Sequence, residues 1–171
     1  MHRSLASLAL SFVLATVAPC APSRAAADGP VVVGISAEGG GFLGDVQGAL
    51  GGVAVRLGVR PLPWLSVYAQ SHGLAGVLTS GPRGGSAQGV LWNTAMIGTH
   101  LGPLHLAGGP SLDFAWGCGE QAGCIRGAPL FGLDARAALH LDPLVVSIDV
   151  HPTWISGEPV VGMVGGLGWE L

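Results

Sequence analysis

Eight stretches of this chain alternate in polarity with a period of two, and turn residues separate them. In Val53–Gln70 (VAVRLGVRPLPWLSVYAQ) one set is Val53, Val55, Leu57 and Val59, continued beyond the break by Leu65, Val67 and Ala69. The other set is Ala54, Arg56, Gly58 and Arg60, then Ser66, Tyr68 and Gln70. Successive side chains of a strand point to opposite faces, so this pattern predicts half-apolar strands and excludes amphipathic helices. It leaves open which face meets water.

The same pattern recurs through the chain. The first segment is Pro30–Glu38, and the second and third are joined through Pro61-Leu62-Pro63. The fourth is Gly89–Leu101, followed after Gly102-Pro103 by a fifth with Leu104, Leu106, Leu112, Phe114 and Trp116 on one side. The sixth carries Phe131, Leu133, Ala135, Ala137, Leu139 and Leu141. Asp142-Pro143 leads to the seventh (Leu144, Val146, Ile148, Val150), and the eighth carries Val161, Met163, Leu167, Trp169 and Leu171. The connections alternate long and short. The long ones are Gly-rich, at residues 39–50, 73–88 and 117–128, and the short ones hold the prolines.

Composition turns the polarity question. Charged residues make up 10% of the chain, lysine is absent and mean hydropathy is +0.56. Ordinary soluble domains carry about 25% charged residues. Beyond the first 27 residues no apolar run reaches the length of a membrane helix, about 18 residues. Residues 1–27 have the three parts of a secretory signal peptide: basic Met1-His2-Arg3, apolar Leu5–Ala18 and small residues to Ala27. Cleavage before Asp28 would leave one domain, residues 28–171. A lipoprotein start at Cys20 fits poorly, because Pro19 precedes the cysteine. A formal charge of −3 argues against a nucleic-acid partner. Removal of Cys20 leaves Cys118 and Cys124 in GCGEQAGC, which in an exported chain suggests a disulfide closing the third long loop. Two free thiols, or half of a metal site, are the alternatives; no His or third Cys stands at ligand spacing for the latter.

Only helices and closed barrels satisfy all their backbone groups inside lipid. With this pattern the chain resembles the small eight-stranded outer-membrane β-barrels of the OmpA/OmpX type over residues 28–171. The long-short connections, the even strand number and the terminal Leu167, Trp169 and Leu171 carry the resemblance. It implies an all-β, antiparallel up-and-down transmembrane barrel, apolar outside and polar inside. It also implies outer-membrane lipids as surroundings, the barrel-assembly machinery as a partner in biogenesis, and a Gram-negative-type outer membrane as location. Members of that group end in Phe more often than in Leu.

On this topology Trp64 and Trp169 fall at the turn end and Trp116 and Trp154 at the loop end. Trp92 joins the latter as part of an aromatic girdle. The turn register conflicts at one point, since without a bulge it sends Trp92 and His100 inward. The inward set then holds Glu38, Arg56, Arg60, Asp113, Asp134, Arg136, Asp149, His151 and Glu170, a mixed-sign network among small residues. A two-residue turn at Asp142-Pro143 sets Arg136 opposite Asp149 and Asp134 opposite His151, with Cβ atoms about 4.5–5.5 Å apart. A three-residue turn at residues 61–63 sets Arg56 opposite Tyr68.

An eight-stranded barrel is just wide enough for side chains to fill it, so a plugged lumen is expected over a narrow pore. Some barrels of this resemblance modify lipid A, but His72, His100, His105, His140 and His151 form no local nucleophile motif. The expectation is a structural or surface-interaction protein with no catalytic, cofactor or metal residues. The loops, with Phe42, Asp45, Arg83, Glu120 and Arg126 among their glycines, show no ligand signature. A soluble secreted barrel binding an apolar ligand is the alternative.

Overall fold

The computed structural model describes residues 30–44, 47–79, 87–119, 123–125, 127, 129–155 and 158–171. The expected signal peptide therefore lies outside the described residues, as do Asp45, Arg83, Glu120 and Arg126.

The strands are β1 (Val31–Leu43), β2 (Gly48–Leu62), β3 (Leu65–Leu78), β4 (Ala87–Leu101) and β5 (Leu104–Gly119). They continue with β6 (Gly123–Ile125), β7 (Pro129–His140), β8 (Leu144–Ile155) and β9 (Glu158–Glu170). Each long strand pairs antiparallel with its neighbours in the chain, and β1 pairs with β9. The eight long strands thus close on themselves. Residues β6 contributes form only a short hairpin extension of β5, with Cys118 directly opposite Cys124. Among the described residues closure leaves no open edge on the eight long strands, which is how an all-β chain satisfies its ladder groups without a partner. Among the described residues no helix is long and apolar enough to cross a membrane, which says nothing against crossing by strands.

The barrel is apolar outside and polar inside. Val53 and Phe131 are 52% and 71% exposed, whereas Arg136, Asp149 and His151 are buried. A soluble barrel with an apolar core would show the reverse.

The strands run further than the glycines suggested. Gly39, Gly40 and Gly41 continue β1, paired with Gly51, Leu50 and Ala49 on one side and with Gly165, Val164 and Met163 on the other. Phe42 is therefore a strand residue, paired with Gly48. Two flanking ladders hold these glycines extended, and a side chain at Gly40 would collide with the Met163 carbonyl.

Two registers can be compared with the turn arguments. At Asp142-Pro143, a cis peptide, the Leu141 amide donates to the Leu144 carbonyl at 2.7 Å, as a two-residue turn requires. Arg136 accordingly faces Asp149. The β2–β3 turn differs. Its tip is Pro63-Trp64, with Leu62 paired to Leu65 and a bulge between Val59 and Leu62. Arg56 therefore faces Gln70, not Tyr68, and Tyr68 faces Gly58. The displacement is two residues, so every side chain keeps its face.

Candidate functional site: the barrel lumen

The inward positions of β1 to β9 fill the lumen in layers. Toward the loop end, Leu50, Leu74, Val90, Trp92 and Val164 form an apolar cluster. Trp92 is the correction to the girdle: it points inward and is 2% exposed. Strand β4 keeps one register against β3 from Leu65↔Thr99 to Val77↔Ala87, so no bulge turns the ring outward. Its ring stacks on His151 at 4.2 Å and 5°, and meets His72 edge-on at 5.6 Å. Room for it comes from Gly162, where a Cβ would lie 2.7 Å from the indole. Trp64, Trp116 and Trp154 are exposed and Trp169 is half-exposed, all near strand ends.

Below Trp92 lies the charged layer. A carboxylate only accepts, so the 2.6 Å contact between His72 Nδ1 and Glu38 Oε2 places the hydrogen on Nδ1. The Gln70 amide nitrogen then bridges His72 Nε2 at 2.6 Å and Asp149 Oδ1 at 2.8 Å. Arg136 Nη1 donates to both oxygens of Asp149, at 2.9 and 3.2 Å. His151 Nε2 donates to Asp113 Oδ2 at 2.9 Å, and Thr153 donates to the same oxygen at 2.8 Å. His151 Nδ1 lies 3.8 Å from Asp134 Oδ2, to which Thr94 donates at 3.2 Å. Arg56 donates to Ser36 Oγ and lies 3.5 Å from Glu170, while Ser36 donates to Glu38. Towards the turn end follow Val32, Tyr68 and Met96, then His100, His105 and His140.

The nine expected lumen residues thus share the interior. Eight are buried; Arg60, near the turn end, is half-buried. Sequence reasoning did not single out Ser36, Gln70, Thr94 or Thr153, and treated His72 only as one histidine among several. All five hold the charges together, and all lie on the inward parity of their strands. That parity was the signal that could have found them.

A buried charge is tolerated only when paired and hydrogen-bonded, and these elements supply such partners from several strands. His72, Asp134 and Asp149 bring ligand atoms within 4.8 Å of one another, the spacing of a metal site. The Gln70 amide nitrogen, however, sits between His72 and Asp149, and Arg136 engages both oxygens of Asp149. That cluster is built as a hydrogen-bond network.

Fold and lumen together define a small eight-stranded β-barrel filled by side chains. No protein-family model and no curated protein matches the sequence. Among solved structures the barrel is similar to Ail, the attachment invasion locus protein of Yersinia pestis, with a TM-score of 0.60. The alignment covers 84% of this chain and 99% of that one at 10% identity, a likeness of fold.

Proposed function

We propose that this protein is an integral outer-membrane β-barrel with a closed lumen and a structural or surface-interaction role. The observation that carries the reading is its reversed polarity: apolar side chains cover the outside and a hydrogen-bonded charge network fills the inside. Outer-membrane lipids are then its solvent, a cleaved signal peptide at residues 1–27 directs its export, and the barrel-assembly machinery inserts it. Trp116 and Trp154 mark one interface and Trp64 and Trp169 the other. The loop between β5 and β7 is stapled by a Cys118–Cys124 disulfide, a reading supported by the direct opposition of the two residues.

The role is non-catalytic and the lumen is not a conduit. Trp92 and the apolar cluster around it, then the Arg136–Asp149 and His72–Glu38 pairs, occupy successive levels of the interior. Polar groups that contact one another this closely act as a plug. Any interaction falls to the loops, which a rigid scaffold commonly presents.

The test is expression in a Gram-negative host followed by fractionation. The protein should sediment with outer membranes and migrate differently on a gel before and after boiling. Planar bilayers holding it should show no steady conductance. A chain that stays monomeric and soluble without detergent would overturn the reading in favour of the secreted barrel.

A further inference from the structure

The outward face of the barrel is built mainly of Val, Leu, Ile, Ala and Gly, but on β3 and β4 it carries Ser71 and Asn93. Ser71 stands between outward Ala69 and Gly73, and Asn93 between outward Leu91 and Ala95. The two are paired directly, and the ladders extend their row to Val55 on β2 and Leu112 on β5, both exposed. Ser71 is the seventh residue of 14 in β3 and Asn93 the seventh of 15 in β4, so both sit at mid-strand.

Their polar atoms are only partly matched within the chain. Asn93 Nδ2 donates to the Leu112 carbonyl at 3.2 Å, and Ser71 Oγ donates to Asn93 Oδ1 at 2.8 Å. The Leu112 carbonyl can only accept, which fixes the nitrogen on that side. A carboxamide carries two N–H donors and an oxygen with two lone pairs. One N–H and one lone pair of Asn93 therefore have no partner among the described residues. Water would take both; lipid hydrocarbon takes neither, and an unmatched group there is costly. Around the pair the wall is low, with Ala69, Gly73 and Ala95 as neighbours. A Cβ at Gly73 would meet nothing within 4 Å beyond its chain neighbours, so packing inside the chain does not require glycine there. On the opposite side of the barrel β8 presents the larger Val146, Ile148 and Val150.

We propose that the β3–β4 face is a contact between two copies of this chain, related by a two-fold axis along the membrane normal beside Asn93. A carboxamide is complementary to itself across such an axis. The free N–H of one copy donates to the free lone pair of the other, and the second copy returns the bond. Lipid tails are as apolar as Val or Leu, so the aliphatic faces gain little from a protein partner. This face gains hydrogen bonds and a close approach over small residues. The proposal rests on the outer-membrane reading, because a wetted Asn93 needs no partner.

The test places single cysteines on the outer wall of the full-length protein in a Gram-negative host: L91C and A95C flanking Asn93, and I148C on β8. Isolated outer membranes are oxidised and run on a non-reducing gel, with the parent chain giving the background of its own cysteines. L91C or A95C should give a dimer band several-fold stronger than the parent or I148C. A95C/N93L should lose most of the A95C band while keeping the outer-membrane fractionation and the heat-dependent gel shift. Dimer bands at both flanking positions no stronger than that of I148C, or a band unchanged by N93L, would overturn the proposal and leave the outer-membrane reading standing. A chain that stays soluble would overturn both.

Discussion

Replacing Arg136 by methionine tests whether the lumen network holds the barrel together. Arg136 Nη1 reaches both oxygens of Asp149, at 2.9 and 3.2 Å, and both side chains are 0% exposed. Methionine fills similar volume but strands the carboxylate in a buried site, and breaking a buried pair in this way costs about 3–5 kcal/mol. Two features place the cost near the lower bound. Asp149 keeps the Gln70 amide at 2.8 Å. Arg136 Nε and Nη2 have no hydrogen-bond partner among the described residues, so few other groups lose one. A loss of about 3 kcal/mol is roughly two decades in the unfolding equilibrium. Adding Asp149→Asn removes the stranded charge, so R136M/D149N should recover to within about 1 kcal/mol of the parent, a coupling read from the double-mutant cycle. The assay is urea unfolding in lipid vesicles followed by tryptophan fluorescence. If R136M lies within about 1 kcal/mol of the parent, or D149N brings no recovery, the network is not what stabilises the interior.

Val55 projects from the middle of β2 and is 50% exposed. Val55→Arg should cost about 2–4 kcal/mol in a bilayer, against under about 0.5 kcal/mol on a wetted surface, measured by the same unfolding assay. Trp92→Ala should cost about 3–5 kcal/mol through the cavity it leaves, and single-channel recording should detect a conductance the parent lacks. For Cys118 and Cys124, alkylation followed by mass spectrometry should label neither residue before reduction and both after it. Labelling of unreduced protein would remove the staple.

The parts of this barrel that were legible in the sequence are those governed by period two. Alternation alone puts Val53 to Ala69 on one face and Arg56 on the other, and likewise separates Asp134, Arg136 and Asp149 from their apolar neighbours; the scarcity of charge then says which face is inside, and the sorting survives a register error of an even number of residues. That is why Arg56 stayed inside although its partner turned out to be Gln70. Turn position is a weaker signal, because Pro61-Leu62-Pro63 offers several places to reverse the chain and the observed bulge near Val59 resets the count. Gly39–Gly41 were unreadable as strand because glycine has no intrinsic preference for it. Their extended form comes from ladders on both sides, which only the closed barrel provides.

Trp92 shows where two kinds of inference conflict and which is stronger. The girdle argument is a tendency of tryptophans as a class, whereas facing is a geometric consequence of backbone pleat. A single inserted residue in β4 would have turned Trp92 to the outside and left a gap between Gly162 and His151. The uninterrupted β3–β4 register contains no such residue. The inward indole therefore has a cause in the strand and a counterpart in the glycine opposite it. The one tryptophan that lies inside the barrel also stacks on His151 of the charged layer and joins it to the apolar cluster toward the loop end.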